Sequence, residues 1–353
     1  MLKHLFKLKL KYFFCFFARL SLHMSNLIAC SKQSVFYSPS QSTLIELSIS
    51  TGEKISELKY EHPICAICAL DDYLAVAIRK EKSKVKQENL FIYKQGNLLF
   101  SHIIPHDAIQ LMFADFEGKK CLLTLNSGDM DVLDLETKDS KNLLGSIATG
   151  TSFEVCDKYI LSADRDARIR ISNYPNTYDI HAFAFLHEEF VSSLLLLDNN
   201  LFVSADGDGK LMKWDFDGNN LLVKQVYDKN VIIRKLAQYE GKIAAIVEGS
   251  NDISLINKET FEIEGKIELQ SQPISIVVYN DVLYGFNLNH VFKVHGNEVT
   301  VLSNELFNQD VNLKLFTLEG QRVNSKVILK KGDKETEDYK RWRNPEKLSA
   351  GSK

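Results

Sequence analysis

One segment of the chain repeats at a spacing of 42 residues, and this repeat restricts the possible folds more than any other feature. Residues 159–172 (YILSADRDARIRIS) align without a gap on residues 201–214 (LFVSADGDGKLMKW). A further step of 42 residues places Leu211 on Ile253, in a segment that again reads strand, polar turn, strand. A period of about 42 residues is typical of the four-stranded blade of a β-propeller.

Short apolar runs separated by turn residues support an all-β fold along most of the chain. Examples are residues 64–70 (ICAICAL) and 274–280 (ISIVVYN), and long helical periodicity is almost absent. Residues 24–330 have the length of about seven such repeats. We therefore predict an all-β chain whose residues 24–330 form a seven-bladed β-propeller.

The two ends differ in composition from this body. Residues 1–23 carry five basic and no acidic side chains, and their apolar run (12–18) is too short to span a bilayer. This leader is compatible with a signal-like segment, with a basic targeting helix, or with sequence upstream of a start at Met24, which we favour. Residues 331–353 read as a charged, flexible tail that is disordered alone.

The charge distribution argues against bulk attraction to nucleic acid. The chain has a net charge of −3, but its basic ends leave a net charge of −11 on the part between residues 23 and 330. Any contact with RNA must therefore come from local segments or from a partner. Candidates are residues 80–86 (KEKSKVK) and the tail, where Tyr339 and Trp342 lie among basic residues. The tail is equally compatible with a solubilising role or a nuclear-import signal, and we expect a nuclear protein, with the cytoplasm left open.

Residues 204–215 (SADGDGKLMKWD) resemble the end of a WD repeat, with a histidine 27 positions before the tryptophan. The pattern predicts a buried chain of hydrogen bonds from Trp214 to Ser204, from Ser204 to His187 and from His187 to Asp208. We interpret these four residues as structural, because the strand-turn-strand context explains them without catalysis. The fold is accordingly a WD-repeat propeller, with other blades that depart from the motif.

The remaining candidates for metal or cofactor binding have simpler explanations. Cys65 and Cys68 lie on a strand with no second ligand pair at zinc spacing, so core packing is the preferred interpretation. Pro105 between His102 and His106 argues against a helix that would place both on one face. No glycine-rich turn joins a strand to a helix, as a nucleotide-like cofactor would need. We predict no catalytic residue, no cofactor and no metal.

The segment before the WD repeat has an unusual density of charge. Two aspartates and three arginines fall within seven positions: Asp164, Arg165, Asp166, Arg168 and Arg170. Alternation along the strand points Arg168 and Arg170 away from the apolar side of Ile169 and Ile171. This pattern suggests an internal ion pair, with Arg170 holding Asp166, that stiffens a loop for a partner. The alternative is a solvated surface whose ion pairs contribute at most about 1 kcal/mol each.

Residues 159–196 resemble the signature of the noncatalytic WD-repeat subunit of the tRNA (guanine-N7)-methyltransferase. In that family an A-D-R-D-x-x-I-R-[IV]-S run precedes an H-x-x-F-V-S segment and then a WD repeat. The order and spacing agree over roughly 60 of 353 residues, and Leu186 replaces the usual glycine before the histidine. The matching residues are Ala163, Asp164, Arg165, Asp166, Ile169, Arg170, Ile171, Ser172, His187, Phe190, Val191 and Ser192.

The resemblance implies a noncatalytic role in a heterodimer. The partner would be an S-adenosylmethionine-dependent chain that forms N7-methylguanine in the tRNA variable loop, and this chain would hold it in an active state. It implies that tRNA is contacted mainly through the complex, and no membrane is involved. The residues expected to face the partner are Asp164, Arg165, Asp166, Arg168, Arg170, Glu188 and Glu189.

Two other classes of propeller remain as alternatives. A general scaffold, such as a substrate receptor of a cullin-type ubiquitin ligase, tends to carry arginine two positions after the W-D pair. Here the positions after Asp215 are Phe216 and Asp217, so this feature is missing. A propeller enzyme would line its central channel with carboxylates or histidines, and no acid pairs recur at the predicted blade starts.

Overall fold

The structure is a computed structural model that describes residues 27–40, 42–80, 87–126, 129–145, 148–197 and 201–303. Within these ranges the regular secondary structure consists of twenty-eight β-strands in seven four-stranded antiparallel sheets. Three segments interpreted from the sequence lie outside them: the leader 1–23, the tail 331–353 and all but the first residue of the basic segment 80–86.

Each sheet is formed by four consecutive strands and is called a blade. The strands of blades 1–4 are β1 (Ile28–Cys30), β2 (Ser34–Ser40), β3 (Thr43–Ser48), β4 (Lys54–Lys59), β5 (Ile64–Leu70), β6 (Tyr73–Ile78), β7 (Leu90–Lys94), β8 (Asn97–His102), β9 (Gln110–Phe116), β10 (Lys119–Leu125), β11 (Asp129–Asp134), β12 (Ser140–Gly145), β13 (Gly150–Val155), β14 (Tyr159–Asp164), β15 (Ile169–Asn173) and β16 (Ile180–Ala184).

The strands of blades 5–7 are β17 (Val191–Leu197), β18 (Leu201–Asp206), β19 (Lys210–Asp215), β20 (Asn220–Gln225), β21 (Ile233–Tyr239), β22 (Lys242–Val247), β23 (Asp252–Ile256), β24 (Ile263–Glu268), β25 (Pro273–Tyr279), β26 (Val282–Asn287), β27 (Val291–His295) and β28 (Glu298–Ser303). The first strands of successive blades begin 36 to 46 residues apart, close to the repeat seen in the sequence.

The first strands of the blades form the inner wall of a closed ring. Each contacts the first strand of the next blade, and β25 of blade 7 contacts β1 of blade 1. The prediction of an all-β, seven-bladed propeller is therefore confirmed, with its seven blades inside residues 28–303.

The position of a strand within its blade explains its sequence. Second strands such as β18 and β22 are covered on both faces by neighbouring blades, and every residue after their first is buried. Outer strands such as β4 and β20 alternate between half-buried and exposed side chains, because only one face meets protein.

Polar side chains join the inner strands of neighbouring blades at three places. The buried Gln110 side chain donates to the Phe153 carbonyl (2.8 Å) and accepts the Phe153 N–H (3.0 Å). One blade further on, the Ser152 hydroxyl accepts the Leu194 N–H (3.2 Å). The Ser193 hydroxyl accepts the Leu236 N–H in the same way (3.1 Å). These bonds give partners to backbone groups of the inner strands that no strand of their own sheet pairs.

Apolar clusters fill the spaces between blades, including the space between blades 7 and 1. There, Tyr37 and Phe286 lie in ring contact at 6.0 Å, in a cluster that also holds Ile28 and Tyr284. No sheet among the described strands combines segments from both ends of the chain. The ring therefore closes between these blades by side-chain packing.

Cys65 and Cys68 are free thiols that pack in the core of blade 2, as predicted, and burial raises their pKa to about 12 and about 11.

The described residues contain no helix of the length and hydropathy needed to cross a bilayer.

Candidate functional site

Blade 5 contains the buried network that the WD motif predicts. The Trp214 indole donates to the Ser204 hydroxyl at 2.8 Å, and that hydroxyl lies 2.6 Å from Nε2 of His187. Nδ1 of His187 lies 2.9 Å from Oδ2 of Asp206. Because indole can only donate, this chain is satisfied when serine donates to Nε2 and the histidine Nδ1–H donates to the carboxylate.

The acidic member of this network was assigned wrongly from the sequence. We predicted Asp208, but the residue that binds His187 is Asp206, whose side chain is fully buried. Side chains two apart on a strand share a face, so Asp206 lies on the same side of β18 as Ser204. Asp208 lies in the following turn, where its Oδ1 accepts the Asn230 N–H at 2.8 Å.

Asp206 also fixes the turn between β18 and β19. Its Oδ1 accepts the backbone N–H groups of Asp208 and Lys210, both at 2.9 Å. One carboxylate thus orders the turn and the histidine together. Gly209 supplies the left-handed residue of this turn, with φ of 77°.

Blade 4 has the same turn 42 residues earlier. Oδ1 of Asp164 accepts the N–H groups of Asp166 (2.9 Å) and Arg168 (3.1 Å), as Asp206 does in blade 5. Here the left-handed residue is Ala167, with φ of 65°. Burial raises the pKa of the Asp164 carboxyl, while the Arg168 N–H and the Arg168 charge act in the opposite direction.

The charged side chains of this turn pair with one another, and Arg168 is the central cation. Its guanidinium lies 3.2 Å from Oδ2 of Asp164 and 3.2 Å from Oδ2 of Asp166. Arg165 lies 3.5 Å from Oδ1 of Asp166. Four of the five clustered residues are thus brought together, in what we call the charged turn (residues 164–168).

Arg170 does not hold Asp166, so that part of the prediction is wrong. Its guanidinium donates to the Ser172 hydroxyl (2.8 Å), the Thr177 carbonyl (2.6 Å) and the Gly145 carbonyl of blade 3 (3.4 Å). Arg168 and Arg170 do share a strand face, but each residue adds about 3.3 Å along a strand. Arg170 is therefore further from the turn and reaches into the blade, where burial lowers the pKa of its guanidinium.

The connector from blade 4 to blade 5 (residues 185–190) begins beside the charged turn. Ala184, at the end of β16, pairs with Ile169, the first residue after Arg168. Glu188 in this connector is exposed and accepts a hydrogen bond from Lys210 at 2.9 Å. This contact lowers the pKa of the Glu188 carboxyl. The two predicted carboxylates, Glu188 and Glu189, therefore lie at the same end of the propeller as the turn.

An exposed aromatic pair at this place was missed in the sequence. Phe183 and Phe185 stack with ring centroids 5.0 Å apart and planes 16° apart, and they are 40% and 60% exposed. Leu186 beside them is also exposed. The signal was the run FAFL at the end of an outer strand, where alternation predicts that two phenylalanines share a face.

A cavity of about 170 Å³ lies between blades 3 and 4, directly beside the charged turn. Apolar side chains from both blades form much of its wall, and Arg168 and Arg170 line it as well. The residues around it are Leu125, Leu144, Gly145, Gly150, Ser162, Ala163, Asp164, Arg168, Arg170 and Phe183. Across the described ranges, no group of three or more His, Cys, Asp or Glu side chains is placed to hold a metal ion.

Comparison with known families supports the resemblance recognised in the sequence. Residues 141–306, which contain the charged turn and the WD network, match the family model of the tRNA methyltransferase TRM82 WD40 domain. A designed protein has a similar fold: the computationally designed Ika8 protein, with a TM-score of 0.60 and 15% identity over 79% of this chain and 87% of that one. At that identity the second similarity shows the fold alone.

Two curated relatives carry the same description. The chain is 37% identical over 150 residues to the tRNA (guanine-N(7)-)-methyltransferase non-catalytic subunit wuho of Drosophila ananassae, covering 40% of this chain and 36% of the relative. It is 38% identical over 95 residues to the non-catalytic subunit wdr4 of Dictyostelium discoideum, covering 26% and 20%. The match therefore spans less than half the length of these curated relatives. Both are named as non-catalytic subunits, which confirms the resemblance.

Proposed function

We propose that this chain is a noncatalytic subunit that binds and stabilises a catalytic, S-adenosylmethionine-dependent chain forming N7-methylguanine in the variable loop of tRNA. The observation that carries the proposal is the charged turn, which is rigidly held, partly exposed and part of the segment that matches the family model. The names of the relatives supply the reaction, and the geometry supplies a surface for the partner.

The charged turn suits recognition because its shape is fixed before binding. Asp164 holds the backbone from within, so the turn loses little further conformational freedom when a partner docks. Asp166 is the most exposed of its charged residues, with 45% of its side chain accessible. Exposed ion pairs add little to stability, but fixed charges on a surface select a complementary partner and speed its association.

The neighbouring connector adds an apolar area to this charged surface. The stacked pair Phe183 and Phe185, with Leu186, precedes Glu188 in the chain, and Ala184 between the two rings pairs with Ile169, the residue after the charged turn. Interfaces commonly combine an apolar, aromatic-rich centre with a polar surround. We call this combined area, residues 164–168 and 183–188, the docking surface.

A methyl-transfer assay on unmodified tRNA tests the proposal directly. A candidate catalytic chain from the same source is assayed with and without this protein, and the two are coexpressed and purified together. We expect N7-methylguanine to appear, or to rise strongly, only when both chains are present. Equal activity of the catalytic chain alone, with no copurification, would refute the proposal and favour a general scaffold.

Charge reversal at the docking surface locates the interaction. Asp166→Lys is expected to weaken the complex about tenfold or more, because a fixed charge then opposes its partner. Asp157→Lys is the matched control, since Asp157 is exposed at the opposite end of the same blade. Affinity is measured by titration calorimetry, and folding by circular dichroism. Equal weakening by both variants would contradict the assignment of the surface.

A further inference from the structure

The cavity between blades 3 and 4 lies where blade 5 holds its histidine. In blade 5 the imidazole of His187 sits between Ser204 and Asp206. Their counterparts 42 residues earlier are Ser162 and Asp164, and both line the cavity. Residues 145–149 (GSIAT), which lead into β13, contain no histidine.

The polar groups around this space differ in how they are satisfied. The second carboxylate oxygen of Asp164, which in blade 5 would bind the histidine, is instead 3.2 Å from Arg168. The Ser162 hydroxyl, by contrast, has no side-chain partner among the described residues, whereas Ser204 bonds both imidazole and indole. Ser172 lies where blade 5 has Trp214, and the Ser172 hydroxyl accepts a hydrogen bond from Arg170. The Ser162 hydroxyl is therefore an open hydrogen-bonding position on the cavity wall.

The size and walls of the cavity indicate what fits. A cavity of about 150 Å³ with apolar walls accepts benzene in another protein, and this one measures about 170 Å³. Leu125 and Leu144 offer flat apolar contacts, and guanidinium groups on the wall favour an aromatic face. Phe183 lies both in the cavity wall and in the docking surface, so the cavity is continuous with that surface.

We propose that this cavity receives one flat, aromatic-sized side chain of the catalytic chain, whose polar edge bonds the Ser162 hydroxyl. The inference rests on the proposed function and names the chemistry of its central contact. The inserted ring occupies in blade 4 the position that the His187 imidazole occupies in blade 5, so this space in blade 4 is filled only in the complex. The surrounding contacts of the turn and the connector then shield this buried anchor from water.

Filling the cavity from within tests the proposal. Ser162→Leu places an apolar side chain in the space, and we expect binding of the catalytic chain to weaken at least about 30-fold, as for loss of a central anchor. Ser162→Ala is the matched control, because it removes the hydroxyl and leaves the space open. It is expected to weaken binding only several-fold. Binding of Ser162→Leu within a factor of two of wild type would overturn the proposal.

A second experiment fills the cavity after folding. Ser162→Cys is nearly isosteric, so the variant is expected to fold, and the purified chain is treated with N-ethylmaleimide. Labelling at position 162, followed by mass spectrometry, should be fast in the free chain and blocked in the complex. The labelled chain should fail to bind. Equal labelling in the free and bound states would overturn the proposal even if Ser162→Leu does not fold.

The outcomes separate this inference from the proposed function. If wild type and Ser162→Ala bind the catalytic chain, and chains with a filled cavity bind equally well, the cavity proposal fails and the proposed function stands. If wild type does not bind a catalytic chain at all, the proposed function fails and takes the cavity proposal with it. Asp166→Lys gives an independent reading of the docking surface in both cases.

Discussion

Blades 4 and 5 have the same backbone turn but different contents. In both, an aspartate at the end of the second strand accepts two backbone N–H groups of the turn. In blade 5 the same carboxylate also holds His187, which with Trp214 closes a buried network. In blade 4 serine replaces the tryptophan, and a cavity lies beside the serine and the aspartate.

The difference teaches that the turn depends on the aspartate and not on the complete network. Blade 4 keeps its strand pairing through β14 and β15 without the histidine and the tryptophan. Arg168 forms an ion pair with Asp164, Arg170 donates a hydrogen bond to Ser172, and the rest of the space stays open beside an exposed turn. A blade that needs fewer internal contacts for its shape has side chains left for an interaction.

The largest effect is expected from removing the shared aspartate in each blade. Asp206→Ala removes the acceptor of two backbone N–H groups and of His187, so we expect a loss of about 3 kcal/mol of unfolding free energy. Asp164→Ala should cost about 1–2 kcal/mol, because no histidine depends on it. Asp208→Ala should cost less than either. Urea titrations give these values, and an equal cost at 206 and 208 would restore the original assignment.

Arg170 tests whether blade 4 has a substitute for the missing tryptophan. Arg170→Ala removes three hydrogen bonds, one of them to blade 3, and is expected to cost about 2 kcal/mol. Arg170→Lys should recover little, because one ammonium cannot reproduce the planar fork. The urea midpoints of the two variants are compared at constant m-value. Full recovery by lysine would show that charge alone matters.

The inner strands of blades 4 and 5 differ at one position in a way that makes stability depend on pH. Glu154 in β13 is equivalent to Leu195 in β17. Glu154 pairs with Leu161, and Leu195 pairs with Val203, which lies one repeat of 42 residues after Leu161. Burial raises the pKa of Glu154 to about 7, although Lys235 acts in the opposite direction. The folded protein therefore holds this proton more tightly than the unfolded chain does. The resulting stability is complete below the unfolded pKa of about 4.3 and is lost as the pH rises through 7.

Glu154→Leu should remove this dependence. Between pH 4.5 and 8 the stability of wild type is expected to fall relative to the variant by on the order of 2 kcal/mol. Urea midpoints at a series of pH values measure the difference. Parallel curves for the two proteins would show that Glu154 titrates normally.

The smallest effect is expected at the left-handed residue of the turn. Ala167 adopts φ of 65° where blade 5 has Gly209, so Ala167→Gly should raise the unfolding free energy by up to about 1 kcal/mol. Gly209→Ala should lower it by more, because a Cβ there would lie 2.9 Å from the Tyr227 and Asp228 carbonyl oxygens. Thermal unfolding of both variants decides this. A loss at position 167 would mean that the alanine methyl group makes a useful contact.

The fold was predictable because two periods coincide in the sequence. The repeat of 42 residues set the blade length, and alternation within short runs such as ICAICAL (64–70) marked the strands. The clustering of Asp164, Arg165, Asp166 and Arg168 was also readable, since four residues in one tight turn are close in any conformation. Their pairing in the structure follows from that proximity.

The errors came from contacts that depend on depth and direction. Asp206 is chosen over Asp208 only when strand alternation is applied up to the last residue of β18. The WD motif by itself does not show where that strand ends. The partners of Arg170 are carbonyl groups at Gly145 and Thr177, and backbone acceptors leave no mark in a sequence. The cavity is a property of packing between two blades, so no local pattern encodes it.

The closure of the ring between β1 and β25 has a consequence for synthesis on the ribosome. Each blade is built from consecutive strands, so its backbone pairing is complete as soon as its own segment has emerged. None of the described blades waits for a strand from the far end of the chain. The packing between blades 7 and 1, which includes Tyr37 against Phe286, must await the last blade. The nascent chain therefore passes through a growing open arc of finished blades, whose uncovered apolar ends are where a chaperone would act.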